Sequence, residues 1–238
     1  MSQNLVIQTV PKQQDQSGLL SLDMQGVDNL FPGFSIGDFA IIHSTQSAVS
    51  LTSLLCVRAQ LKNGLNSNVV FVDGGNTYNP ALLIRFAKIH NLNPDQALKR
   101  LSIQKASSAY QLTMFIMEHL EELVKRVSAK LVVISDIAGL FLDEQIAEEE
   151  ARSVFNQLVC YLQSFAREHK VIVIATYVLR PSIRRSSLLH TLACIKANVV
   201  VGLRLTPYEH NFELEKHPRY MLGCAEFSLG HMTLMNFI

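Results

Sequence analysis

The chain has 238 residues, of which 48% are hydrophobic and 17% are charged, and its formal net charge is +1 at pH 7. A chain of this length can bury about 70% of the surface that it exposes when unfolded, and its low charged fraction excludes an intrinsically disordered protein. The near-neutral charge excludes a general electrostatic attraction to nucleic acid, so any such binding depends on a local basic patch.

The N-terminal residues predict a tether in front of one core domain. Polar residues 13–18 separate the apolar run Leu5–Val10 from the remainder of the chain. We therefore predict a strand or tether over residues 1–18 and a core domain over residues 19–238. A strand at Leu5–Val10 would pair with the sheet edge of a neighbouring subunit or with an edge of its own sheet, and the sequence leaves both alternatives open.

From residue 38 onward, short β-branched segments alternate with longer helical patterns. Strands that are apolar throughout and separated by amphipathic helices are typical of a parallel sheet covered on both faces. The last strands have no helix between them, so they predict an antiparallel edge. The predicted strands are 38–43, 68–73, 101–104, 131–136, 171–178, 198–205, 219–229 and 231–238, and the predicted helices are 51–61, 80–89, 108–127, 148–169 and 187–197.

The loop after the first core strand is the first place to look for a ligand, because doubly wound sheets bind ligands at the carboxyl ends of their strands. A phosphate-binding loop has the pattern G-x-x-x-x-G-K-[ST], in which glycines curl around phosphate, lysine neutralises charge and the hydroxyl holds magnesium. In that register the two glycines are replaced by His43 and Ala48, and the lysine by Val49. Of these groups, the hydroxyl of Ser50 remains.

Two interpretations of this loop remain open. It is either a strand-to-helix turn with serine capping, or a helix N-terminus that still binds an anion. The second interpretation predicts weak binding of ATP with magnesium through the vestigial residues Ser44, Ser47 and Ser50, without efficient phosphoryl transfer. Asp136, at the end of another apolar strand, is in the same way either a magnesium ligand or a turn residue.

Three segments resemble, in their order and spacing, the ATPase core of the RecA superfamily, and most of all archaeal RadA recombinases and their paralogs. Residues 26–42, GVDNLFPGFSIGDFAII, resemble the lead-in to the first core strand. Residues 71–112 include the Asn-Thr-aromatic-x-Pro signature as NTYNP, and residues 131–141, LVVISDIAGLF, resemble the Walker B strand. The resemblance covers residues 19–238 and implies a RecA-like P-loop NTPase fold of the α/β class, with a mostly parallel sheet flanked by helices.

The resemblance also identifies missing catalytic residues. In active recombinases a glutamate that positions the attacking water lies two residues after the aspartate of the second strand, and this sequence has Gly75 there. The position of the Walker A lysine is Val49, and the Walker B position falls on either Ser135 or Asp136. We therefore expect a pseudo-ATPase. The histidines lack metal-binding spacings, so no metal site is indicated.

Two basic segments carry the predicted macromolecular contacts. In the family a DNA-binding loop follows the fifth core strand, and here that segment contains Arg180, Arg184 and Arg185. Such a cluster suits phosphate contacts from a mobile loop, although a solvated loop is the alternative. Lys216 and Arg219 lie in a predicted turn. Basic residues of this region in RecA-like rings reach the nucleotide of an adjacent subunit, so both are candidates for action in trans, against a simple surface turn.

The sequence thus predicts a catalytically inactive, RadA-paralog-like accessory factor in homologous recombination and repair. It would scaffold a recombinase or a RecA-like paralog and contact single-stranded or branched DNA. The alternatives are a divergent DNA-stimulated ATPase completed in trans by a neighbouring subunit, and a KaiC-like interaction module without a DNA role. The low charged fraction favours a homo- or hetero-oligomer, because apolar surface can be buried between subunits.

Two further expectations concern compartment and thiols. No apolar run reaches the roughly 18 residues of a membrane span, and the N-terminus lacks a signal-peptide pattern. We expect a cytoplasmic protein that associates with the nucleoid and not with a membrane.

The cysteines are far apart without a C-x-x-C pair, which predicts neither a zinc knuckle nor a disulfide framework. All four are predicted to be buried thiols: Cys56, Cys160, Cys194 and Cys224.

Overall fold

An eight-stranded mixed sheet forms the centre of the protein. The computed structural model describes residues 18–24, 26–205 and 210–227. The predicted tether at Leu5–Val10 and the predicted strand at 231–238 lie outside the described residues, so the domain division stays a prediction. The described strands are β1 (Leu19–Leu20), β2 (Phe34–Ser35), β3 (Phe39–Ser44), β4 (Asn68–Asp73), β5 (Leu101–Lys105), β6 (Ala129–Ser135), β7 (Ile172–Val178), β8 (Val199–Leu205), β9 (His210–Lys216) and β10 (Gly223–Glu226).

Helices cover both faces of this sheet. Those described are α1 (Val27–Leu30), α2 (Val49–Arg58), α3 (Pro80–Ile89), α4 (Pro94–Lys99), α5 (Ala109–Met114), α6 (Leu120–Val127), α7 (Glu148–Glu168) and α8 (Arg184–Lys196). A π-helical turn at Phe115–His119 joins α5 to α6, and a 3-10 turn at Gly139–Leu142 follows β6. None of the described helices is long and apolar enough to cross a membrane.

The strand order confirms the predicted fold class. The large sheet runs β10-β9-β8-β3-β7-β6-β4-β5, and β1 pairs with β2 in a separate hairpin. All pairings among β3 to β8 are parallel. Strands β9 and β10 extend the sheet in antiparallel fashion. The parallel strands therefore share one edge for their carboxyl ends and the opposite edge for their amino ends.

Alternation along β3 explains why the sheet needs helices on both sides. Every residue of β3 is buried. Ala40 and Ile42 join an apolar core that includes side chains of α2 and α3, whereas Phe39 and Ile41 join a second core with side chains of α5 to α8. Burying a side chain of the size of Ile41 contributes about 2 kcal/mol. A strand that is apolar on both faces is stable only between two layers of helices.

The predicted helices differ from the observed ones most clearly in three places. Predicted helix 108–127 is interrupted by the π-helical turn. The helix predicted to begin at residue 187 begins at Arg184, which moves two of the arginines of the predicted loop into a helix. Helix α4 was not predicted, although Asn93 accepts a hydrogen bond from the amide of Gln96 and so caps it. With 6 residues, α4 is too short to show an apolar periodicity.

Strand β9 was also not predicted. Its burial alternates, because Phe212 and Leu214 are buried while Glu213 and Glu215 are exposed. Five of its seven residues are polar or charged, which hides this alternation in the sequence. As a result Lys216, predicted to lie in a turn, is the last residue of a strand.

The prediction that all cysteines are buried is wrong for three of them. Cys56 in α2 is fully buried, and this burial raises the pKa of its thiol. Cys160 and Cys194 are half-buried, and Cys224 is exposed on the outermost described strand, β10. All four thiols are free in the described part of the chain, as the spacing of the cysteines predicted.

A buried guanidinium fastens the first described segment to the core. Arg58, the last residue of α2, donates hydrogen bonds to the carbonyl and hydroxyl oxygens of Ser21, at 2.8 and 2.9 Å. It also pairs with Asp23, at 2.6 Å. The side chain of Arg58 is 8% exposed, whereas that of Asp23 is 61% exposed. The buried contacts to Ser21 should therefore contribute more to stability than the solvent-screened ion pair.

This difference gives a test. Arg58→Met should lower the free energy of unfolding by about 2 kcal/mol, because it leaves two half-buried acceptors of Ser21 without a donor. Asp23→Asn should lower it by less than about 1 kcal/mol. Urea unfolding followed by circular dichroism measures both values. Equal losses in the two variants would contradict this assignment.

Candidate functional site

The carboxyl ends of β3, β4, β6 and β7 meet at one edge of the sheet, where the sequence predicted the nucleotide site. We call this edge the carboxyl edge. The register pairs Ser44 with Val178, and Asp73 with Ser135. Asp136 follows β6 directly and has a left-handed φ of 43°. The edge thus brings together the ends of all three motifs that carried the predicted site.

At the carboxyl edge, Asp73 closes the turn that follows β4. Its carboxylate accepts hydrogen bonds from the Thr77 amide at 2.8 Å, the Ser135 hydroxyl at 2.7 Å and the Tyr78 amide at 3.1 Å. Burial of Asp73 opposes its ionisation, but these hydrogen bonds outweigh burial and lower the pKa of the carboxyl below its ordinary value. Asp73 is consequently an ionised structural group whose oxygens are already engaged.

The position of the missing glutamate has no room for a side chain. A Cβ atom on Gly75 would lie 2.8 Å from Cβ of Asp136 and 3.0 Å from Cγ2 of Thr77. Contacts this short require a shift of the turn. The amide of Gly75 is 3.3 Å from the Ser135 hydroxyl, to which it donates. The local packing therefore excludes a glutamate here without rearrangement.

An ion pair occupies the centre of the carboxyl edge. Asp136 is 5% exposed, and its Oδ2 lies 2.6 Å from Nη2 of Arg180, a residue of the segment after β7. Nη1 of Arg180 donates to the carbonyl of Val178 at 3.1 Å. The hydrogen bond to Asp136 raises the pKa of Arg180. A Cβ atom on Gly139 would lie 2.3 Å from Asp136 Oδ2, so the pair also requires glycine at that position.

In the loop between β3 and α2, the prediction of serine capping is wrong, and anion binding stays a prediction. Ser44 is buried, and its hydroxyl accepts a hydrogen bond from the amide of Gln46 at 3.2 Å. Ser47 is exposed and Ser50 is half-buried. The N-cap residue of α2 is Ala48, whose side chain accepts no hydrogen bond, so no serine caps this helix. Ser44 stabilises the turn and not the helix.

A cleft of about 440 Å³ adjoins this loop. The imidazole of His43, which stands at the position of the first Walker A glycine, lies with its Nε2 2.9 Å from Glu215 Oε1. It packs edge-on against His190, with the ring centroids 4.6 Å apart. The pKa of His190 is lowered by burial and by the nearby His43. Three carboxylates line the cleft: Glu213, Glu215 and Glu226.

The three arginines predicted to contact DNA are placed differently from one another. Arg180 is held by Asp136. Arg185 donates to the carbonyl oxygens of Asp143, at 2.9 Å, and Phe141, at 3.3 Å. Arg184 is exposed and makes no hydrogen bond or ion pair with the described residues. Arg184 and Arg185 lie in the first turn of α8, so the prediction of a loop is wrong for both.

The two candidates for action in trans are bonded within their own chain. Nζ of Lys216 donates to the carbonyl oxygens of Cys194 and Ile195, each at 3.0 Å, near the end of α8. Nη2 of Arg219 donates to the hydroxyl of Ser35 at 2.5 Å. Both residues lie at the amino ends of the parallel strands. They are therefore at the opposite edge of the sheet from the candidate nucleotide site of the same chain.

These residues do not fit a magnesium nucleotide complex set for hydrolysis. The lysine and glutamate positions are Val49 and Gly75, and the central carboxylate, Asp136, is neutralised by Arg180. Three carboxylates and one guanidinium, that of Arg204, line the cleft beside the loop, and their net negative charge is unfavourable for polyphosphate. Among the described residues, no group of three or more His, Cys, Asp and Glu side chains converges to hold a metal ion.

Sequence reasoning assigned Asp136 and Arg180 to two separate sites. The structure joins them, because β6 and β7 are neighbours in the sheet although the two residues are 44 positions apart. Glu215 was missed as a partner of His43, since it belongs to the strand that was not predicted. Neither pairing has a signal in the sequence, because both depend on strand order.

The ion pair can be tested by a double-mutant cycle. Arg180→Gln should lower the free energy of unfolding by about 3 kcal/mol, because it leaves the buried carboxylate of Asp136 without a partner. Adding Asp136→Asn should recover part of this loss, with a coupling of about 2 kcal/mol. Arg185→Gln, which removes hydrogen bonds to carbonyl oxygens alone, should cost about 1 kcal/mol. Additive losses at residues 136 and 180 in urea unfolding would contradict the pairing.

Comparison with known families agrees with the architecture. The model of the Rad51 family matches residues 2–192, which is most of the chain. Proteins of this family are RecA-like proteins of recombination and repair that act in oligomers and bind DNA. The matched region contains the strands that form the carboxyl edge. The chain therefore belongs to the Rad51 family.

Proposed function

We propose that this protein is a non-hydrolysing accessory factor of homologous recombination and repair, similar to the RadA paralogs, that scaffolds a recombinase or a RecA-like paralog. One observation carries the proposal: Arg180 neutralises the carboxylate of Asp136 at the centre of the carboxyl edge. The same edge has Val49 and Gly75 at the positions of the catalytic lysine and glutamate. Three contributions to phosphoryl transfer are thus replaced by groups that stabilise the fold.

The RecA-like architecture of the chain supports a scaffolding role. The sheet and both helical layers are present in the described part of the chain. Val49 begins α2 and Gly75 lies in the turn after β4, both at the carboxyl edge. A protomer of this shape can offer a recombinase the surfaces that another protomer would offer. The low charged fraction supports a surface partly buried in a homo- or hetero-oligomer.

Contact with single-stranded or branched DNA is the second part of the proposal. Arg184 is free to meet a phosphate, whereas Arg180 and Arg185 hold the edge together. Arg180 is 32% exposed, so its role in DNA contact would be secondary to its ion pair. One to three arginines support weak, salt-sensitive binding that does not depend on base sequence. Such binding would place the protein in the cytoplasm with the nucleoid.

The rival ATPase mechanism needs Lys216 or Arg219 to act on a neighbouring subunit. Lys216 would have to leave two carbonyl oxygens near the end of α8, where a cation is favourable. Arg219 would have to leave Ser35. We therefore propose that Lys216 and Arg219 have a structural role. If Ser44, Ser47 and Ser50 bind a nucleotide, this binding has no part in turnover.

The first experiment measures binding and hydrolysis in the same samples. Purified protein titrated with magnesium-ATP should show no turnover above background at any protein concentration, with or without single-stranded DNA. Added to a RadA recombinase of the same organism, it should change strand exchange without adding ATPase activity. Lys216→Ala is the control variant. Turnover that rises with protein concentration and disappears in Lys216→Ala would contradict the proposal and support the ATPase.

The second experiment separates the DNA role from a KaiC-like interaction module. Arg184→Gln should weaken binding to single-stranded DNA about fivefold at 0.1 M salt and reduce the salt slope of the affinity by about 0.7. Arg152→Gln removes the same charge from the exposed surface of α7 and serves as the matched control. Fluorescence anisotropy measures both. Wild-type protein that binds no DNA would favour the interaction module.

A further inference from the structure

Three lysines from three separate segments of the chain line a second concavity. Lys62 follows α2, Lys130 is the second residue of β6, and Lys170 joins α7 to β7. The concavity has a volume of about 690 Å³ and none of its lining side chains is acidic. It lies at the amino ends of the parallel strands, at the opposite edge from the candidate nucleotide site. We call it the lysine concavity.

The ammonium groups of the lysine concavity are available to a ligand. All three lysines are exposed. Lys62 and Lys170 make no hydrogen bond or ion pair within the described part of the chain, and Nζ of Lys130 has a long contact of 3.5 Å to the carbonyl of Leu65. Each ammonium group carries three donors. The amides of Asn63 and Asn66 add further donors to the same lining.

Helix dipoles explain the positions of other lysines at this edge of the sheet, but not the positions of the three lysines of the concavity. In a parallel α/β fold the helices end near the amino ends of the strands, and basic residues in their last turns are favoured there. Lys88, Lys99 and Lys196 are of this kind. The lysines of the concavity lie outside the helices. Their mutual repulsion is a cost that an anion would remove.

We propose that the lysine concavity binds the sugar-phosphate backbone of DNA. Lysines act on phosphate as point charges, and the concavity has no arginine fork that would hold one discrete phosphate. Exposed lysines on a broad lining suit an extended polyanion that several of them contact at once. Amide and lysine donors of this kind position a phosphate backbone without reading bases.

This binding surface goes beyond the proposed function, because it does not use the carboxyl edge. Lys170 and Arg180 stand at opposite ends of β7 and are ten residues apart in sequence. At roughly 3.3 Å per residue, the seven residues of β7 alone separate them by about 20 Å. The two surfaces therefore contact different phosphates. Either one can bind DNA if the other does not.

Charge removal tests the proposal. The variant Lys62→Gln/Lys130→Gln/Lys170→Gln should bind a single-stranded 40-mer roughly 100-fold more weakly at 0.1 M salt, with a salt slope smaller by about 2. The same three positions changed to arginine should retain wild-type binding. The matched control, Lys88→Gln/Lys99→Gln/Lys196→Gln, has the same net charge and should stay close to wild type. Fluorescence anisotropy gives the affinities, and thermal unfolding verifies that each variant is folded.

A second measurement needs no variant. Acetylation of the wild-type protein, read by mass spectrometry, should show Lys62, Lys130 and Lys170 protected by DNA. Wild-type affinity in the glutamine variant, equal loss in the matched control, or no protection would each overturn the proposal. It would also be overturned if the glutamine variant lost binding to inorganic tripolyphosphate alone, which would identify a small-anion site. An effect of Arg184→Gln without an effect of the lysines would leave the proposed function in place and remove this inference.

Discussion

The direction of the six parallel strands is the constraint on which the remainder of the structure depends. The inner strands β3, β4, β6 and β7 are apolar on both faces, so the sheet is stable only between two layers of helices. Helical crossovers then bring every strand back in the same direction, and the sheet acquires two chemically different edges. Loops that follow strands collect at the carboxyl edge, and loops that follow helices collect at the opposite one.

At the carboxyl edge, a buried ion pair lies where the sequence predicted a site for a nucleotide and metal. Taking Asp136 out of water is costly unless a cation of good geometry accompanies it, and Arg180 supplies that cation from the neighbouring strand. A guanidinium differs from a bound metal because it is covalently part of the chain and always present. The edge is thereby stable without a ligand. Gly75 and Gly139 follow from the same arrangement, because each leaves the space that the side chain of Asp136 occupies.

Two concave surfaces at opposite edges of the sheet differ in their charge. Carboxylates line the cleft beside the first core loop, whereas lysines line the concavity at the amino ends of the strands. The net charge of +1 conceals this separation, because positive and negative groups cancel in the sum while they act locally.

The sequence by itself determined the fold class and the strands β3 to β8. These features follow from local patterns: apolar runs, helical periodicity and residue types at fixed spacings. Strand β9 and helix α4 escaped prediction, because a mostly polar strand and a single short helix have weak local patterns. The tertiary structure alone decided which charges meet. Asp136 with Arg180, His43 with Glu215, and the three lysines of the concavity are distant in sequence, and each set forms because the order of strands in the sheet brings their ends together.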